Sequence, residues 1–212
     1  VPNVFHTATW MGVPLTLVFG CLIAMALFSY LMNPRAVSMY HTLPIRREGL
    51  FITNYVSAFC FYLLPSVVVG LLALLAEVRL GVFCAGGVLR WLMVQMFVGM
   101  FFFSFAVCCA MFTGHILALP AFYFILNCLV SGLWALVDAL MSEFFYGYWS
   151  SSGVLTVVEY LTPAHALSRA VNYGVGDEGN QLSSPVTVAV YALAGAALFL
   201  VSLYVYRRRH VE

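Results

Sequence analysis

The chain contains no lysine; its nine basic side chains are all arginine. A Walker loop needs a lysine to reach the outer phosphates of a nucleotide, so this chain is not an ATPase. Any energy drawn from ATP must reach it through a partner. Charge of either sign is scarce: 8% of the residues are charged, 64% are hydrophobic, and the mean hydropathy is +1.00. A water-soluble domain needs about 25% charged residues to cover its surface. The net charge of +1 offers no reason to expect nucleic acid as a partner. The six cysteines lack metal-ligand spacing. Five of them, Cys21, Cys60, Cys108, Cys109 and Cys128, lie in apolar runs and read as small packing residues. There is no His-Glu-x-x-His run and no pair of aspartates in an apolar run, which counts against zinc and aspartyl intramembrane proteases. No signal peptide is visible, and the chain opens without Met or a basic flank, as a fragment or a processed form would.

The placement of the charges says more than their number. Residues 1–34, 49–76, 91–137 and 179–206 carry no Asp, Glu, Lys or Arg. A bilayer core of about 30 Å takes about 20 apolar residues of helix. The expected fold class is therefore an all-α integral membrane protein, one transmembrane domain over residues 1–212. Five spans are expected, at about 10–32, 50–76, 91–112, 116–137 and 186–206. Trp10 and Tyr30 suit the two interfaces of the first span. Pro14 lies near its start, and Pro65 is expected to kink the second. Thr113-Gly114-His115 predicts a tight helical hairpin with the glycine as the helix stop.

Spans without ionisable residues exclude the titrating mid-membrane carboxylate that a proton- or sodium-coupled carrier uses. The polar residues inside them are Asn54, Ser57, Ser66, Gln95, Ser104, Asn127 and Ser131. Each is isolated, and most are expected to join helices, because lipid offers no hydrogen-bond partner. Ser131-Gly132 matches part of a rhomboid-like serine motif, but the preceding glycine and a histidine partner are missing, so a packing serine is expected. His6, His41, His115 and His165 are scattered over different loops and are expected to be loop or interface residues, with no metal and no cofactor.

The stretch from Asn33 to Gly49 separates the first two spans. Asn33 suits a helix cap and Pro34 the first helical position, while Pro44 closes the segment after about two turns. Arg35, Arg46 and Arg47 mark it as cytoplasmic. Five spans then place the Arg207-Arg208-Arg209 tail in the cytoplasm too, giving six arginines inside and three outside (Arg79, Arg90, Arg169). The extracellular segment is 138–185. The N-terminus comes out external, and one further span upstream would return it to the cytoplasm. A six-span protein lacking its first helix is the expected whole. An ordinary charged loop between spans remains the plain alternative for 33–49.

His41-Thr42-Leu43-Pro44-Ile45-Arg46-Arg47-Glu48-Gly49-Leu50-Phe51 resembles a segment of bacterial ABC-2 type ABC transporter permease subunits. Their usual form is Ser-Leu-Pro-Ile/Val-Ser/Thr-Arg shortly before a membrane helix. Thr42 stands where Ser is usual, Arg46 stands where a small hydroxyl residue is usual, and Arg47 matches the basic position. The resemblance implies a permease without catalytic activity of its own, in the cell membrane, with its C-terminus cytoplasmic. It implies a separate ABC ATP-binding subunit as partner, which binds the ATP, and a second permease half in a homodimer or heterodimer. The segment 33–49 would be the coupling helix. Val37, Met39, Tyr40, Leu43 and Pro44 would form its apolar contacts with the ATPase subunit, and Arg35, Arg46 and Arg47 its charged contacts.

In the outer segment, Thr162-Pro163 reads as a helix start with Thr as cap, and Gly174 as its stop. Ala164, Leu167 and Ala170/Val171 form a stripe opposite His165, Arg169 and Asn172. By resemblance this helix dips back above the translocation path, making Pro163, Leu167 and Val171 candidates for an extracellular gate; a helix lying on the outer leaflet is the alternative. A path without charges suits lipids, hydrophobic peptides or drugs. Two other functions stay open: a stand-alone membrane structural or assembly protein, and an intramembrane enzyme of unrecognised type.

Overall fold

The computed structural model describes residues 2–29, 47–79, 85–149, 152–171, 173–174, 181–182 and 184–208. Their elements, in chain order, are α1 (Pro2–Phe28), α2 (Arg47–Arg79), α3 (Ala85–Phe112), α4 (Ala118–Phe144), α5 (Ser152–Leu161), α6 (Pro163–Val171), β1 (Tyr173–Gly174), β2 (Gln181–Leu182) and α7 (Pro185–Arg208). The two short strands pair antiparallel, Tyr173 opposite Leu182 and Gly174 opposite Gln181. Glu48–Ala76, Gly86–Phe112, Ala118–Phe144 and Pro185–Arg208 are each long and apolar enough to cross a membrane, and Gly12–Phe28 is a shorter apolar stretch within α1. The chain is a helical, multi-pass membrane protein.

The helices outrun the charge-free runs. Helix α4 continues past residue 137 through Asp138 and Glu143 to Phe144, because helical hydrogen bonding does not stop at the first charged residue. It ends where the backbone turns out at Phe145 (φ −113°, ψ 107°) and then at Gly147, whose φ of 84° favours glycine. The Tyr148 hydroxyl folds back to donate to Asp138 Oδ1 at 3.1 Å. The hairpin after α3 is closed differently from the expected glycine stop. Both the amide and the hydroxyl of Thr113 donate to the Cys109 carbonyl at 3.0 Å. Gly147 is the positive-φ glycine among the described residues, so Gly114 does not act as a left-handed cap. Pro65 lies inside α2, which is continuous around it.

Helix α3 is the centre of the bundle. It packs most extensively on α7, then on α1, then on α2. Two glycines set how closely the neighbours approach. A Cβ on Gly195 of α7 would lie 2.8 Å from Phe101 Cα, so the α3 and α7 backbones meet there. A Cβ on Gly99 of α3 would overlap the ring of Tyr62, which α2 lays across the α3 backbone at that point. Small residues at such crossings let membrane helices gain contact without a hydrophobic driving force between them.

The pairings also fix direction. Tyr55 of α2 reaches Ser104 and Tyr62 reaches Gln95, so α2 runs antiparallel to α3. Gly12 and Gly20 of α1 face Gln95 and Phe102 in the same order, so α1 runs parallel to α3. At one end of the bundle the termini of α1, α2 and α7 meet through aromatic rings. Phe51 lies 5.7 Å from Phe28 and 5.1 Å from Tyr206, centroid to centroid.

Candidate functional site

Two places matter, at opposite ends of the bundle. The first is the end where α2 begins and α7 finishes. Glu48, the second residue of α2, accepts from Arg207 Nε at 2.7 Å and from a second guanidinium nitrogen of the same arginine. The pair holds the start of α2 beside the arginine tail. Arg47 is the first residue of α2. Arg35, Val37, Met39, Tyr40, Leu43, Pro44 and Arg46 lie outside the described residues. Sequence reading missed the Glu48 partnership, because the two residues are far apart in the chain and only the antiparallel run of α2 and α7 joins them.

The second place is the opposite end, where α6 folds onto α1 and α7, and α5 packs on α6 and α4. Helix α6 spans Pro163–Val171 and ends before Gly174, which sits in β1 instead. Thr162 does not cap it through its side chain. Its hydroxyl donates back to the Val158 carbonyl at 2.9 Å, while its own carbonyl accepts from the Ala166 amide at 2.9 Å. The hydroxyl thereby occupies a carbonyl at the end of α5, and the corner between α5 and α6 is a single residue.

The expected stripe lies inward. Leu167, Ala170 and Val171 are buried in the main core, Ala166 is buried beside them, and His165 and Arg169 are exposed. Of the three gate candidates, Leu167 is completely buried, Val171 is buried and Pro163 is half-buried. Arg169 pairs with Glu159 across the α5–α6 corner, and the Tyr191 hydroxyl of α7 donates to the Tyr160 carbonyl at 2.6 Å. These contacts tie the short helices down. They also distinguish α6 from a helix lying free on a leaflet, since its apolar face meets protein.

The polar residues inside the spans divide. Gln95 and Ser104 do join helices. Gln95 Nε2 donates to Thr16 Oγ1 at 2.6 Å, and Ser104 Oγ lies 2.6 Å from the Tyr55 hydroxyl. Ser66, Asn127 and Ser131 instead donate to carbonyls of their own helix. Asn127 Oδ1 is buried with no partner among the described residues. The tyrosine hydroxyls carry more of the bridging than the residues singled out from sequence. Tyr123 of α4 donates to the Leu17 carbonyl of α1 at 3.1 Å, and Tyr62 donates to the Gln95 carbonyl at 3.0 Å. Tyrosine is grouped with the hydrophobic residues in the composition, which hides this role.

Among the described residues no group of His, Cys, Asp or Glu could hold a metal ion. The five described cysteines are free thiols. No protein-family model and no curated protein matches the chain.

Proposed function

We propose that the chain is the membrane-spanning subunit of an ATP-driven ABC transporter of the ABC-2 type, an exporter that works with a separate ATP-binding subunit and a second permease half. One observation carries the reading: the ABC-2-like motif of residues 41–51 runs directly into α2, whose second residue is paired with the arginine tail. The start of α2, which carries the last residues of the motif, and the end of α7 lie together at one end of the bundle, the end on which a cytoplasmic ATPase subunit would dock. A push on the 33–49 segment would pass into α2 and, through Glu48 and Arg207, into α7. At the far end, the buried face of α6 rests on α1 and α7, so tilting of those helices would move Leu167 and Val171.

The test separates docking from membrane anchoring. Tyr40→Ala combined with Leu43→Ala removes the apolar centre of the proposed contact and leaves its arginines. Each truncation at a packed interface costs about 1–4 kcal/mol, enough to loosen a moderate complex more than about tenfold. The expected outcome is normal insertion with loss of the ATPase subunit on co-purification, or retention without transport. A double variant that inserts, holds the subunit and transports at the wild-type rate removes the coupling role.

A further inference from the structure

A groove of about 600 Å³ lies between α1, α2 and the first half of α3. It opens on the flank of the bundle, where its rim residues Phe19 and Phe61 are 51% and 67% exposed. All three walls fall within the charge-free runs, so the opening faces hydrocarbon rather than water. The walls are apolar and aromatic except for one ledge, where Thr16, Tyr62, Ser66 and Gln95 meet. That composition, a mostly apolar concavity with a few convergent polar groups, is the composition of small-molecule sites, as is the size.

The hydrogen accounting on the ledge is specific. Thr16 donates to the Gly12 carbonyl at 2.7 Å, Tyr62 to the Gln95 carbonyl at 3.0 Å and Ser66 to the Tyr62 carbonyl at 3.2 Å. Each hydroxyl has one hydrogen, and each is committed. Gln95 commits one amide hydrogen to Thr16 at 2.6 Å. Its side chain also hydrogen-bonds the Tyr62 hydroxyl, which takes up the second hydrogen; Gln95 Oε1 and the indole N–H of Trp91, which also lines the groove, have no partner among the described residues. An open acceptor and an open donor beside an apolar cavity call for a hydroxyl, which can donate and accept. No Asp, Glu, Lys, Arg or His lines the groove to balance a charge, and an unbalanced charge at that depth is costly.

We propose that this groove binds an uncharged, mainly apolar molecule dissolved in the bilayer, held through one hydroxyl at Gln95 Oε1. The site stands apart from the transport reading, because its test reads binding alone. The full chain is reconstituted in nanodiscs of zwitterionic phospholipid and irradiated with a long-chain alcohol carrying a diazirine near its hydroxyl end. Saturable labelling is expected on α1 and α2 around Phe19 and Phe61, competed about tenfold better by the unlabelled alcohol than by the alkane of equal length. Gln95→Leu should abolish that preference. Ala26→Trp fills the groove from an exposed rim position, so it leaves the ledge intact and should remove the labelling if Gln95→Leu fails to fold. Unsaturable labelling spread equally over α4 would mean ordinary boundary lipid and overturns the proposal. So would equal competition by alkane, labelling unchanged in Ala26→Trp, or groove residues cross-linking to a second copy of the chain.

Discussion

Helices α3 and α4 are consecutive, of 28 and 27 residues, and nearly equal in mean hydropathy, 2.1 against 1.9 over an 18-residue window of each. Yet 61% of one window is buried and 6% of the other. In water such a difference follows from hydropathy, because the apolar helix goes inside. In a bilayer the tails are as apolar as leucine, so hydropathy decides that a helix spans and leaves open what it touches. What separates these two is shape. Helix α3 accepts the Tyr62 ring at Gly99 and the α7 backbone at Phe101, and it stacks Phe101 edge-on against Tyr191 at 5.0 Å. Helix α4 buries only the row Leu119, Tyr123 and Asn127, and a Cβ on its Gly132 would meet nothing within 4 Å.

The largest expected break in this contrast is a matched pair of truncations. Phe102→Ala, at a completely buried site of α3, should cost about 3–5 kcal/mol through the cavity it leaves. Phe124→Ala, on α4 with 40% exposure, should cost well under half as much. Reversible unfolding in mixed micelles reads both, and equal losses would mean that α3 is central in position only.

A smaller effect sharpens the role of shape. Gly195→Val pushes side-chain carbon against the α3 backbone and should cost about 1–3 kcal/mol, while Gly132→Val should stay within about 0.5 kcal/mol. A tolerated Gly195→Val would indicate that the α3–α7 crossing can slide. The smallest effect concerns polar bonding. Tyr55→Phe removes the 2.6 Å bond to Ser104 and should cost about 0.6 kcal/mol, the usual size for such bonds within membranes. Ser104→Ala added to it should cost nothing further; additive losses would show the two groups acting separately.

Much of the fold is legible in where charge is missing. The four charge-free runs hold most of the four long apolar helices and the shorter apolar stretch of α1, and Thr113-Gly114-His115 marks the hairpin, although Thr113 and not Gly114 closes it. The inward stripe of α6 also follows from spacing, since Leu167, Ala170 and Val171 recur at three and four residues between polar neighbours. Packing partners do not follow, because α3 is apolar on every face and offers no periodicity to read. Helix α5 escaped notice because its residues, Ser152–Leu161, form part of a longer apolar stretch in which no break is evident before Pro163. The groove was equally hidden: Thr16, Tyr62 and Gln95 come from three helices, and of these only Gln95 stood out as polar in a span.

The α3–α7 crossing also bears on the order in which the chain is made. Helix α3 leaves the ribosome with α1 and α2 already available to pack on it, but its most extensive neighbour, α7, is the last of the described elements. Until Gly195 arrives, the flank of α3 at Phe101 has only lipid to face. The bundle therefore closes in the manner of a barrel driven tight by its final stave, and quality-control proteases would find nascent chains most vulnerable in the interval between the synthesis of α3 and that of α7.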